Sequence, residues 1–474
     1  MMKTRPVYTG PELCALEAHE VVGLLKRGEV SAQEVQDASL QRCAMVEPAI
    51  NAMPTICRAR AKMATQNLPP KSMLAGLPIG IKDLMAVAGV HTTYGTKGLA
   101  DNIPTQSEPL VELLEHNGAV VIGKTNTPEL GAGGNTFNAV FGATANPWNT
   151  GRNAGGSSGG AAASLAAGEV WLSHGSDYGG SLRTPAAYCG VVGLRPSPGR
   201  AGGAGVLTAW NTEGVQGPMA RSVTDCALFL DAMCGFDPNS PISLEKPDEP
   251  FLRALGNPPQ KLRVAYAPDM GGHGLVTPEV AQLLSDALEK ITRNGGVVDE
   301  VPLKTTTLDA TFRTLRGIGF AAQYSRMPDT VRQYLKATIR ENVAFGQALS
   351  VDEITNAQIN RSIILNDISG LLNDFDVLAC PVVGLAPGPL SQEYPTEING
   401  QPLGDYLDWL GFSNLATVTG LPAISLPVGY LPDGMPMGIQ LIGPNRGEAK
   451  LLAVARAFEL ILNLPKTPID PVVV

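Results

Sequence analysis

The sequence predicts an α/β protein, and three observations carry that prediction. From residue 74 onward, short apolar strand-like runs alternate with helical segments, the pattern of a sheet covered by helices. The 474 residues are 44% apolar and only 17% charged, which supplies a large core and excludes a disordered chain. Glycine (53) and proline (38) are in excess of average usage, but below the level of low-complexity chains.

The elements follow in order. Glu12 to Lys26 carries Leu13, Leu16, Val21, Val22, Leu24 and Leu25 at helical spacing, with Gly28 as its stop. Ser31 and Glu34 match a capping box, so a second helix is expected to about Val46. Ile79–Ile81 after Pro78 is strand-like. Residues 109–116 read as a helix ended by Gly118, and Ala119–Ile122 as a buried strand. Residues 155–167 read as a glycine turn feeding a helix of small residues, able to pack very close to a neighbouring backbone. Val170–Leu172 is a candidate strand, Gly175–Ser181 a second glycine turn, and Val191–Val192 part of a further strand. The Pro- and charge-rich 236–260 stretch reads as a surface connection. Helices are expected at 278–294 and through most of 329–374. Short strands and turns follow over 375–441, with a last helix at about 447–462.

Several classes are excluded. Net charge is −9 and no Lys/Arg run exceeds two residues, so there is no basic footprint for nucleic acid. Met1–Pro6 lacks the apolar core of a signal peptide, and no run of 18 apolar residues suggests a membrane span. The seven cysteines are scattered and form no C-x-x-C pair, which argues against a disulfide framework or a zinc ribbon. The expectation is a cytoplasmic enzyme without nucleic-acid or membrane partners.

Individual motifs are ambiguous. Gly118–Thr125 matches the P-loop expression, but its interval Ala119–Ile122 favours a buried strand over a phosphate-wrapping loop. The five histidines form no zinc-binding pair. His174 is nearest the glycine turns, and its apolar neighbours favour a core histidine over a catalytic base. Gly179-Gly180-Ser181 offers a nucleophile on a turn whose N–H groups converge, or simply a turn. Gly155–Gly160 is a second such turn, or an anion site at a helix start. Lys82, after an apolar strand, is a candidate neutral-amine base if desolvated, or a strand-end lysine paired with Asp83.

Together these motifs resemble the amidase signature family. Leu77–Asp83, Gly155–Gly160 and Gly175–Arg183 occur in the family's order, with Lys82 75 residues before Ser157 and Ser157 24 before Ser181. Thr184–Ala187, Cys189–Leu194, Gly217–Ser222, Thr419–Pro427 and Gly434–Gly443 extend the resemblance over nearly the whole chain. It implies an amidase-signature fold: one domain over 1–474, with a large, mixed, twisted β-sheet covered by helices on both faces. The catalytic motif core would span about 74–222, with a more variable helical segment at about 236–374.

The resemblance also implies a Ser–cis-Ser–Lys triad. Ser181 would be the nucleophile, Ser157 the bridging serine after a cis Gly156–Ser157 peptide, and Lys82 the base. Backbone N–H groups of Tyr178, Gly179, Gly180 and Ser181 would form the oxyanion hole. Ser158, Asp177 and Arg183 would brace the site by hydrogen bonds. The implied reaction is hydrolysis of a small carboxamide to an acid and ammonia or an amine, without metal or organic cofactor, in a possible homodimer. The alternative is the A-subunit of a glutamine-dependent tRNA amidotransferase, although residues 310–345 do not look like that subunit's substrate segment. Tyr178 (often Thr in the family), Ala154 (often Pro) and His174 (usually apolar) depart from the pattern, and Tyr178 is expected to reshape one pocket wall. Phe137, Trp210, Phe320, Tyr324 and Trp409 are candidate acyl-pocket aromatics. Residues 151–205 hold 15 glycines, so the glycine excess concentrates on the site motifs.

Overall fold

The computed structural model describes residues 5–202 and 208–474. Met1–Thr4 of the N-terminal reading, and Gly203 and Gly205 among the counted glycines, lie outside the described residues. Eleven strands form one sheet: β1 (Thr55–Ile56), β2 (Pro78–Lys82), β3 (Val120–Thr125), β4 (Leu172–Asp177), β5 (Val192–Arg195), β6 (Val215–Ala220), β7 (Arg263–Tyr266), β8 (Val297–Glu300), β9 (Val377–Pro381), β10 (Ala423–Tyr430) and β11 (Pro436–Ile442). Their spatial order is β1-β3-β2-β4-β6-β5-β10-β11-β9-β7-β8. β2 runs parallel to β3 and β4, and β7 runs parallel to β8 and β9; the other neighbours are antiparallel. The sheet is therefore mixed, as expected.

Strand alternation sends successive side chains into different cores. Val121 joins Ile79 and Ile81 in one cluster, whereas Val120 and Ile122 pack with the helix Gly159–Ala167 in another. Further along, Val377 and Ala379 belong to the first cluster, while Leu378 and Cys380 meet Phe312 and Ile364 in a third. Helices thus bury both faces of the sheet. Among the described residues no helix is long and apolar enough to cross a membrane. All seven cysteines are free and buried.

The Gly159–Ala167 helix behaves as its composition predicts: it is buried along its whole length. A Cβ on Gly160 would collide with the Asn126 and Ala52 backbones, so only glycine permits this approach. Ser31 and Glu34 form the expected capping box, and Gly28 ends its helix at φ 69°. The helix after Ser31 continues to Ile50, beyond the expected end near Val46.

Other expectations are corrected. The single helix over Glu12–Lys26 is two, Glu12–Ala15 and Ala18–Arg27, because Leu16 and Glu17 are extended. Asp225 stabilises the break by accepting the N–H groups of Ala18 (2.7 Å) and His19 (2.9 Å). The strand expected at Val170–Leu172 starts at Leu172 and runs to Asp177, so Gly175 belongs to β4 and not to the following turn. Gly175 pairs with Gly217 of β6, and a Cβ there would lie 2.8 Å from Ser158 Oγ. The helix Leu308–Tyr324 and strands β7 and β8 have no counterpart among the elements expected from the sequence. The 236–260 connection contains a short helix, Phe251–Ala254.

Candidate active site

β2 and β4 are parallel neighbours, and their C-terminal ends deliver Lys82 and Ser176–Asp177 to one place. The loop before the Gly159–Ala167 helix delivers Ser157 and Ser158, and its Gly156–Ser157 peptide is cis. Lys82 is fully buried, and its Nζ donates to Ser157 Oγ (2.6 Å), Ser158 Oγ (2.8 Å) and Ser176 Oγ (3.0 Å). Burial pushes its pKa down to about 7, although the Asp177 charge opposes the shift. Asp83 is not its partner. Asp83 pairs with Lys124 (2.9 Å), whose Nζ also donates to Met85 O and Thr92 Oγ1. That buried pair leaves the P-loop lysine unavailable to phosphate, and Gly123–Thr125 lie within β3.

After β4 the chain turns through Tyr178–Ser181. Gly180 takes φ 92°, a left-handed conformation that favours glycine. Its N–H donates to Asp177 Oδ1 (3.1 Å), so this expected oxyanion donor is already engaged. Among the described residues, the N–H groups of Tyr178, Gly179 and Ser181 have no protein acceptor. Asp177 also accepts from Leu182 N (3.0 Å), Arg183 Nε (3.0 Å) and Nη2 (2.8 Å), and Arg195 Nη1 (3.3 Å). Burial alone would raise its pKa; Arg183 and Arg195 outweigh that and hold the carboxyl well below the usual carboxylate range. Arg183 is anchored in turn by Ser413 O (3.2 Å) and Gln440 Oε1.

Ser157, Ser176, Asp177, Tyr178 and Ser181 line one solvent-open cavity of about 390 Å³. Lys82 sits behind Ser157. Among the described residues the hydrogen-bond chain runs from Lys82 to Ser157 and does not continue to Ser181 Oγ. A lysine desolvated to near neutrality, a serine against it and a second serine on a turn of free N–H groups are the parts of a nucleophilic acyl-transfer site.

The family model described as Amidase matches residues 34–452. The chain belongs to the amidase family. It is 35% identical to an acylamidase of Rhodococcus erythropolis, over 97% of this chain and 98% of that one. It is 34% identical to the glutamyl-tRNA(Gln) amidotransferase A-subunit of Thermosynechococcus vestitus, over 92% and 95%. Among solved structures, a bacterial aryl acylamidase of the amidase signature family superposes with a TM-score of 0.87 at 28% identity, over 94% of this chain and 96% of that one. The chain is thus an enzyme of the amidase class, a hydrolase acting on amides.

Within this amidase, His174 is buried, with Nε2 2.9 Å from Gln216 Oε1. Burial lowers its pKa to about 3, and it hydrogen-bonds none of Lys82, Ser157 or Ser181. The core reading of His174 therefore holds. Ser158, expected only to brace the site, bonds Lys82 directly. Of the aromatic candidates, Phe320 and Tyr324 line the cavity. Trp210 is 78% exposed, Trp409 stacks on Tyr188 in the core, and Phe137 lies beneath Lys336. Sequence reasoning missed Ser176, Arg195, Gln216 and Arg316. Ser176 lay inside the quoted Gly175–Arg183 motif, immediately before Asp177. No local signal marked Arg195 or Arg316.

Proposed function

We propose that this amidase hydrolyses a carboxamide to a carboxylic acid and ammonia or an amine through an acyl-enzyme on Ser181. The observation that carries this reading is Lys82 Nζ, fully buried and 2.6 Å from Ser157 Oγ, at the cavity that Ser181 lines. Neutral Lys82 takes the Ser157 proton while Ser157 takes the proton of Ser181. Ser181 Oγ then bonds to the amide carbon. The N–H groups of Tyr178, Gly179 and Ser181, which have no protein acceptor among the described residues, would receive the oxyanion, while Gly180 donates to Asp177 instead. The C–N bond breaks as the proton returns through Ser157 to the leaving nitrogen. Water repeats the sequence on the acyl-enzyme: its oxygen bonds to the acyl carbon and Ser181 leaves with the returned proton.

The proposed cycle assigns proton transfer to Lys82 and Ser157 and charge stabilisation to the N–H groups of the turn, and it calls on no metal or organic cofactor. The decisive measurement is ammonia or amine release from a panel of aliphatic and aryl amides, with wild type and Ser181→Ala. Retained activity in Ser181→Ala would sink the assignment. The second reading, the A-subunit of a glutamine-dependent tRNA amidotransferase, is favoured by the 34% identity to such a protein over most of both chains. Glutaminase activity that appears only with added partner subunits would establish it. Amide turnover by the isolated chain, sized by gel filtration, supports the first reading and reports whether it is a homodimer.

A further inference from the structure

Arg316, on the Leu308–Tyr324 helix, lines the same cavity as Ser181 yet is only 6% exposed. Its neighbours in sequence and space find carboxylates: Arg313 pairs with Asp405 (2.6 Å) and Asp408 (2.5 Å), and Arg361 with Glu213 (2.8 Å). Arg316 has no carboxylate partner among the described residues. Nε donates to Asn342 Oδ1 (3.2 Å) and Nη2 to Tyr406 Oη (2.6 Å). A guanidinium carries five N–H donors, so those of Nη1 remain without a protein acceptor. The group is held over Phe320 (4.2 Å to the ring centroid), Tyr178 (5.4 Å) and Tyr406 (5.6 Å). These rings favour a cation there without neutralising it.

A second group points the same way. The Tyr178 hydroxyl is buried without a hydrogen-bond partner, and its ring is one of the three around Arg316. A buried hydroxyl without a partner is costly, and the free Nη1 of Arg316 beside it faces the cavity, so one anion bound at that nitrogen would serve both groups. The other charged lining groups do not supply it. Asp177 is committed to Arg183 and Arg195, and Glu108 accepts a backbone N–H from Ala86 and feels the charge of Lys124.

We infer that Arg316, with the Tyr178 hydroxyl, binds a carboxylate on the substrate, so that this enzyme selects amides carrying a negative charge. This rests on the amide-hydrolase reading and deepens it. A carboxylate entering this cavity gains a charge-assisted, two-pronged contact from the guanidinium. Tyr178, a departure from the family pattern, thereby gains a role: its backbone shapes the turn and its side chain completes the anion corner.

The test compares kcat/KM for monoamides of succinic, glutaric and adipic acids with neutral alkylamides of the same length. N-carboxymethyl amides against N-ethyl amides place the charge on the leaving group instead. Wild type should prefer the anionic member of one series by about tenfold or more, mainly through KM. Arg316→Met should collapse that ratio, and Arg316→Lys should restore part of it. If Arg316→Met does not fold, Arg316→Lys and Arg316→Gln must still lower the ratio. No preference in wild type, or equal losses on both substrates in the variants, overturns the inference. Calorimetry separates this outcome from failure of the hydrolase reading. Arg316-dependent binding of the monoamide to Ser181→Ala, with no amide turned over by wild type, leaves the anion site standing and removes the hydrolase. Turnover of amides without charge preference does the reverse, and no binding and no turnover removes both.

Discussion

Lys82 Nζ lies 2.6 Å from Ser157 Oγ, and its other two partners are also serine hydroxyls. Three acceptors suit the three N–H groups of an ammonium. A neutral amine has only two, so on deprotonation one hydroxyl must turn and donate to nitrogen. Ser157, the closest of the three, is placed to do so.

That geometry fixes a pH dependence. Lys82 is depressed from 10.5 to about 7, so its basic form accumulates as pH rises through neutrality. We expect kcat/KM to rise roughly tenfold per pH unit below about 7 and level off above it. Lys82→Ala should lose about 10²- to 10⁴-fold and abolish that limb. A variant that keeps the same acid limb would assign it to another group.

Asp177 yields a second prediction. It is one carboxylate between two buried guanidinium groups, and it also accepts two N–H groups of the turn. Removing one partner of a buried ion pair costs about 3–5 kcal/mol. Asp177→Ala should lose stability on that scale in urea unfolding, and activity with it as Gly180 loses its acceptor. A loss below about 1 kcal/mol would mean that the arginines are not held by this charge.

What was legible in the sequence follows from range. Lys82, Ser157 and Ser181 stood in local motifs with fixed gaps, and the buried glycine helix announced itself by composition. The helix break at Leu16–Glu17 was invisible, because the groups it frees are received by Asp225, 207 residues from Ala18. Arg316 was equally hidden. An arginine in an amphipathic helix reads as a surface charge, and Tyr178 and Tyr406, which help bury it, are far away in sequence. Trp210 failed in the opposite sense: a large aromatic suggested a pocket wall, but it stands in solvent.

His174 supplies the last prediction, on stability. Its folded pKa is about 3, against an ordinary value of 6.5, because burial disfavours the imidazolium. Between those values the unfolded chain binds the proton and the folded chain does not. The contribution is therefore fully present above about pH 6.5 and is lost as pH falls toward about 3. At one pKa unit per 1.36 kcal/mol, stability should fall by about 2 kcal/mol between pH 7.5 and pH 5 from this group alone. His174→Gln removes the titration while keeping a polar group near Gln216 Oε1. Urea unfolding of wild type and variant at both pH values checks this. The variant should lose clearly less stability on acidification, whatever its stability at pH 7.5. Parallel losses in the two proteins would show that His174 does not set the acid limit.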